Sequence, residues 1–227
     1  SERRRWRICP IQRHHLRHLD ASVAYVTNAD GKNNVTLLND SAISTSRWGL
    51  RGSEDLGGGL KANFNLESDV NMDTGKFNGA GMFRRSAYVS LSSDQYGELR
   101  LGQATSNAVT QVASGGIVLP SNAMHGSMLI ASGVVPDFFV TNAITYISPS
   151  LSGVKASLLY APGEVAGAGS TGSKIHAAAK YTGGGFTLGG TYINVKESVA
   201  GKNDGRNWYT IDGTVTLGQV KLGAVYY

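Results

Sequence analysis

Residues 44–69 read STSRWGLRGSEDLGGGLKANFNLESD, and after a polar stretch residues 84–103 read RRSAYVSLSSDQYGELRLGQ. Leu60, Ala62, Phe64 and Leu66 alternate with Lys61, Asn63, Asn65 and Glu67, so a period of two puts apolar groups on one face and polar ones on the other. The runs Asp55-Leu56-Gly57-Gly58-Gly59 and Ser93-Asp94-Gln95-Tyr96-Gly97 are turn sequences. The stretch therefore reads as four strands joined by tight turns at one end and a long polar loop, Asn71 to Met82, at the other. Short turns at one end and long loops at the other are the pattern of an up-and-down antiparallel transmembrane β-barrel, an all-β fold.

Segments SRWGLRGSEDLGGGLKANFNLES and FRRSAYVSLSSDQYGELRLGQ resemble the general-diffusion porins of Gram-negative bacteria, and the beta-proteobacterial type in particular. The likeness runs from about Asp20 to Tyr227 with several motifs in the same order. It implies an outer-membrane barrel, assembled as a homotrimer among outer-membrane lipid and lipopolysaccharide, that passes small hydrophilic solutes and uses no cofactor.

The composition is consistent with such a wall. The 227 residues hold 30 Gly, 5 Pro and a single Cys, and no run of about 18 apolar residues occurs. A mean hydropathy near zero does not count against a barrel, because alternation hides an apolar outer face inside an average composition. The formal charge of +5 sits entirely in residues 1–18, with six Arg and one Glu, and the body from 19 to 227 is neutral. A nucleic-acid partner inferred from basicity would rest on that head alone, so none is expected.

The head, SERRRWRICPIQRHHLRH, has no alternation and no helical stripe. It reads as a basic arm with Arg3, Arg4, Arg5 and Arg7 around Trp6, as a metal site from Cys9, His14, His15 and His18, or as an aberrant translation. The histidine spacing matches no familiar zinc pattern, and no metal site is expected. The third reading is preferred. For one permitted choice of codons, the bases read in a shifted frame give SAAAGASAQSSVTIYGT, the end of a signal peptide followed by an alternating strand. Residues 1–18 are thus expected to be a frameshifted segment, with the frame returning near Leu19 and a partial barrel over 19–227.

Along the body, Asp20 to Asn28 is expected to end the first strand and Asp30 to Ser44 to be its polar loop. Arg47 and Arg51 share a face opposite Trp48 and Leu50. Since only one of two adjacent residues faces inward in regular pleating, Arg84 and Arg85 compete. The resemblance places Arg85 on the pore wall and Arg84 at the rim or against a neighbouring strand. Arg47, Arg51, Lys61, Glu67, Arg85 and Arg100 are the expected pore-lining set. Porins of this type commonly carry Arg where this chain has Gln103.

Alternation stops from Ala104 to Pro136. By resemblance this is the loop that folds inward and narrows the pore, with Ser106, Gln111, His125 and Asp137 as candidates. It holds no acid before Asp137, and with the arginines this suggests weak to moderate anion preference. Hairpins resume afterwards: Asn142 to Ser148, Val154 to Ala161, Ile175 to Tyr181, Phe186 to Val195, Asn207 to Thr216 and Lys221 to Tyr227. Tyr146, Tyr160, Tyr181, Tyr192, Trp208 and Tyr226 near strand ends suggest aromatic girdles. The count is about eleven strands against about sixteen in the porins resembled, so the chain is expected to be incomplete as a barrel.

No phosphate loop, nucleophile elbow or metal-ligand pair is present, so no enzyme is expected. Two other classes make distinct predictions. A soluble or surface-exposed β-protein for adhesion or ligand binding needs no detergent, and a nucleic-acid-binding protein loses binding with residues 1–18.

Overall fold

The computed structural model describes residues 14–40, 45–77, 81–114, 138–196 and 205–227. Residues 1–13, with Cys9 and most of the basic head, lie outside them, as do His125 and Asp137.

Among the described residues thirteen strands and one helix occur in this order: β1 (His14–His18), β2 (Ala21–Val26), β3 (Val35–Asp40), β4 (Arg47–Gly57), β5 (Leu60–Asp69), β6 (Ser86–Ser93), β7 (Gly97–Thr105), α1 (Asn107–Ser114), β8 (Phe139–Ile147), β9 (Val154–Ala161), β10 (Lys174–Gly183), β11 (Phe186–Val195), β12 (Arg206–Leu217) and β13 (Val220–Tyr226). Eleven of them form one sheet in the order β1-β4-β5-β6-β7-β8-β9-β10-β11-β12-β13, antiparallel throughout. Each strand from β4 onward pairs with the next in sequence, which is the up-and-down topology. Among the described residues β1 and β13 are the edges of this sheet.

The polar segment 30–44 is not all loop. Val35–Asp40 forms β3, which pairs with β2 as a separate two-stranded sheet. Val35, Leu37 and Thr36 are strand formers that find partners in Val26, Ala24 and Tyr25. This hairpin is tied to the main sheet at its base. The Ser46 hydroxyl accepts from the Asp20 amide at 2.9 Å and donates to the Asp20 carbonyl at 3.0 Å. Asp40 in turn accepts from the Met72 amide at 3.0 Å.

The period-two reading survives in three dimensions. Register aligns Arg51, Asn65 and Tyr88 in one row and Ser53, Asn63, Ser90 and Arg100 in the next. The opposite face carries Leu50, Val89, Leu91, Leu99, Leu101, Ile144, Leu158, Leu188 and Ile211, all exposed. An apolar face this continuous suits hydrocarbon rather than water. No described helix is long and apolar enough to cross a membrane. The turn at 57–59 needs positive φ at all three positions (+85°, +63° and +80°), which glycine supplies without a steric cost.

Of the expected girdle aromatics, Tyr146, Tyr160 and Tyr226 are exposed on the apolar face. Trp208 is not among them. It pairs with Ile193, which pairs with His176, and so lies on the polar face; its neighbour Tyr209, 63% exposed, takes the outer position.

Candidate functional site

Two arrangements occupy the polar face. The first is built on β4, β5 and the approach to β6. Arg85 Nε donates to Glu67 Oε1 at 2.6 Å, with both side chains largely buried. Arg84 pairs with the fully buried Asp69, two residues along the same face of β5. Both guanidinium carbons sit over the Phe139 ring, 5.6 Å (Arg84) and 5.5 Å (Arg85) from its centre. The rule that only one of two adjacent residues faces inward applies within a regular strand. Both precede β6, which begins at Ser86, and irregular backbone is free of strict alternation. Arg84 does touch a neighbouring strand, as expected. Gln103, where an arginine was anticipated, donates its amide to the Arg84 carbonyl and holds this irregular turn in place.

Arg47 donates to the Thr45 carbonyl at 3.3 Å and lies within electrostatic range of Arg85 and Glu67. Arg51 and Lys61 share its face with no ion pair among the described residues. Arg100 pairs with Glu98 on its own strand at 2.8 Å and stacks 4.8 Å from the Tyr88 ring centre. Between the charges runs a ladder of small polar groups: Ser53 donates to Asn63 at 2.8 Å, and Asn63 donates to Ser90 and Ser92 at 3.2 and 3.0 Å.

The second arrangement is α1 against β9, β10 and β11. The segment after Thr105 was expected to lack regular structure, yet Asn107–Ser114 is helical. Its first turn is closed by the Thr110 amide and hydroxyl, which both donate to the Ser106 carbonyl, at 3.0 and 3.1 Å. The Ser106 hydroxyl lies 3.0 Å from His176 Nδ1, and Gln111 Nε2 donates to Asp212 Oδ1 at 3.4 Å. Ser106 and His176 are fully buried and Asp212 nearly so. Gly189 permits this approach, since a Cβ there would collide with the Gln111 amide and stand 2.9 Å from Asp212 Oδ1.

Why the helix docks here follows from the wall beneath it. On the strands it packs against, Leu159, Ala161 and Ile193 are buried on what is otherwise a polar face, as is Val109 of α1 itself, and Leu159 and Ala161 continue into a buried apolar cluster with Val140 and Ala143 of β8. Burying one such side chain contributes about 1.5–3 kcal/mol. Of the four loop candidates, Ser106 and Gln111 are thus placed against the wall. His176, Asp212, Asp69 and Glu98 are partners that sequence reading missed. A signal for the docking patch exists in the adjacent apolar pairs Leu158-Leu159 and Tyr192-Ile193, which break alternation inside strands.

Among the described residues no cluster of His, Cys, Asp or Glu could hold a metal ion. What the face offers is a row of cations and short hydroxyl and amide groups beside a docked helix.

Residues 18–227 match the family model described as Gram-negative porin. The chain belongs to that family. It is 34% identical over 219 residues to outer membrane porin protein 32 of Delftia acidovorans, covering 91% of this chain and 61% of that protein. Among solved structures, the anion-selective porin from Comamonas acidovorans superposes with a TM-score of 0.73 at 28% identity, over 95% of this chain and 67% of that one. The OmpF porin of Salmonella typhi superposes at 0.61 with 14% identity, over 94% of this chain and 63% of that one, a likeness of fold alone. The chain thus spans about three fifths of the length of its Delftia relative. It is an outer-membrane protein of the porin type.

Proposed function

We propose that this porin is a general-diffusion channel for small hydrophilic solutes and ions, with a weak to moderate preference for anions. The observation that carries the proposal is the charge balance of the polar face. Among the described residues, Arg84 and Arg85 are paired with Asp69 and Glu67, and Arg51 on the same face has no ion pair, so positive charge remains in this cluster after those pairs are made. In a barrel this face lines the lumen, where low-dielectric walls focus the field of fixed charges on permeating ions. The selectivity of the Comamonas porin, stated for that protein, supports the same sign here.

On this reading α1 opens the segment that folds inward and sets the narrowest radius, and Ser106 and Gln111 hold it to the wall. The pore-lining set is Arg47, Arg51, Lys61, Glu67, Arg85 and Arg100, to which Arg84 is added. The channel works passively, with no enzymatic step, and assembles as a homotrimer in a lipopolysaccharide-bearing membrane, as porins of this type do. Swelling of liposomes loaded with a large impermeant sugar tests conduction. Entry of small neutral solutes should make protein-bearing liposomes swell, faster for smaller solutes. Liposomes that stay unswollen with every solute contradict the proposal.

A further inference from the structure

The apolar face of the sheet is not even. Across β9 to β12 it holds an open groove of about 620 Å³. Ala156, Ala179 and Gly190 stand side by side on β9, β10 and β11, with Ala177 two residues along β10, so the floor is made of the smallest side chains. Leu158, Tyr192, Tyr209 and Ile211 rise around it, and Tyr146 of β8 closes the near side. A gap in such a wall forfeits dispersion contacts until atoms of a neighbour fill it, and in a membrane those contacts drive association.

Toward the long connections the same face turns aromatic, then polar, then cationic. The Tyr192 and Tyr209 rings pack 5.2 Å apart, and one row further Asn194 stands opposite Asn207. Tyr192 Oη and Asn194 Nδ2 both donate to Asn207 Oδ1, at 3.0 and 2.9 Å, so the exposed Asn207 amide group is turned away from them. Lys196 takes the next outward position, since its backbone amide continues the ladder to the Ser173 carbonyl at 2.9 Å. It makes no ion pair among the described residues. Alternation leaves no charged residue at the outward positions of β9 to β12, and Glu164 of the adjoining loop accepts from Asn142 of β8. From Gly190 to Lys196 the strand climbs about 20 Å, or about 15 Å of depth at a tilt of about 40°, which is one leaflet of a hydrocarbon core about 30 Å thick.

We propose that the groove holds an acyl chain of one anionic lipid from the leaflet on the long-loop side, with the lipid's phosphate at Lys196 and the Asn207 amide. Length and charge choose this occupant together. A chain whose phosphate lies at Lys196 reaches the Ala156–Ala179–Gly190 floor near the bilayer centre, and the phosphate supplies the charge that Lys196 lacks. A second copy presenting this same face brings it no carboxylate. The assignment rests on the reading that the polar face lines the lumen, which leaves the apolar face to lipid, and it is independent of ion preference.

The test is native mass spectrometry of the full chain, released from micelles that hold phosphatidylglycerol and phosphatidylcholine with matched saturated chains. The protein should retain phosphatidylglycerol in preference to phosphatidylcholine. Lys196→Gln, beyond the end of β11, should cut that preference about fivefold, the worth of one lysine beside an anionic headgroup. Ala179→Leu, whose outward side chain fills the floor, should lower retention of both lipids. Leu222→Ala, on the same face but outside the groove, should leave both unchanged. Should Ala179→Leu fail to fold, the loss of preference in Lys196→Gln still decides. Retention indifferent to Lys196→Gln and Ala179→Leu overturns the lipid site. So does an Ala179→Leu variant that dissociates in light scattering while keeping its lipid, since the groove would then be an interface between copies. Liposome swelling reports the channel reading separately: swelling that persists while lipid selectivity is absent overturns this site and not the channel.

Discussion

The Ser106 hydroxyl and His176 Nδ1 lie 3.0 Å apart, both fully buried, joining the start of α1 to the wall 70 residues further along the chain. A buried pair of this kind fixes where the helix enters the interior. Ser106→Ala leaves the imidazole without that partner and should destabilise the fold by about 1–3 kcal/mol. It should also raise open-channel current noise, because the loop gains freedom. Thermal unfolding in detergent and single-channel recording check both effects. Unchanged noise would show that the helix is held without this contact.

Neighbouring residues Ser90 and Val89 separate the two faces of β6. Ser90 is buried among Asn63 and the polar ladder, whereas Val89 is 57% exposed on the apolar face. In a membrane, Val89→Arg should cost about 2–4 kcal/mol near the bilayer midplane. Ser90→Arg should insert and change conductance instead. Equilibrium folding into lipid vesicles measures the difference. In a soluble β-protein Val89→Arg would be nearly silent, so this pair also distinguishes the two fold settings.

Arg85 and Glu67 neutralise each other at 2.6 Å. Glu67→Gln should release the cation and raise the anion-to-cation permeability ratio by up to about twofold, while Arg85→Gln should lower it. Reversal potentials report both signs. If the two substitutions move the ratio in the same direction, this pair does not face the permeating ions.

Asp30, in the β2–β3 connection, accepts from the backbone amides of Asn33 and Lys32 at 2.6 and 2.9 Å and from the Asn33 side chain at 2.7 Å. These bonds, with the Asn33 amide foremost, hold its carboxyl down from 3.8 to about 2. A depressed carboxyl stabilises the loop above its ordinary range, and that support is lost as pH falls through the folded value. The Asn33 amide resonance should therefore titrate near pH 2. A midpoint near 4 would mean that the loop does not hold these bonds in solution.

Much of the barrel wall was legible because each strand carries its own signal. Val154–Ala161 and Phe186–Val195 were bounded by sequence alone, since alternation and glycine turns are local. β3 was missed because Asn39 and Asp40 end a polar stretch whose strand character depends on pairing with β2. The helix was missed because Asn107–Ser114 is short and earns its stability from the wall rather than from propensity. His176 and Asp212 are single polar residues in ordinary strands, and their partners lie 70 and 101 positions away. No local pattern encodes such distances. Arg85 and Glu67 were each singled out, but their pairing, 18 residues apart across a long loop, was not.

The central claim is an anion-preferring pore lined by the polar face. Its most direct test is the zero-current potential across a bilayer containing the protein, with a tenfold potassium chloride gradient. The account predicts a potential whose sign shows chloride more permeant than potassium, diminished when Arg47 and Arg85 are both replaced by glutamine. A potential of the opposite sign, or one indifferent to both arginines, would contradict it.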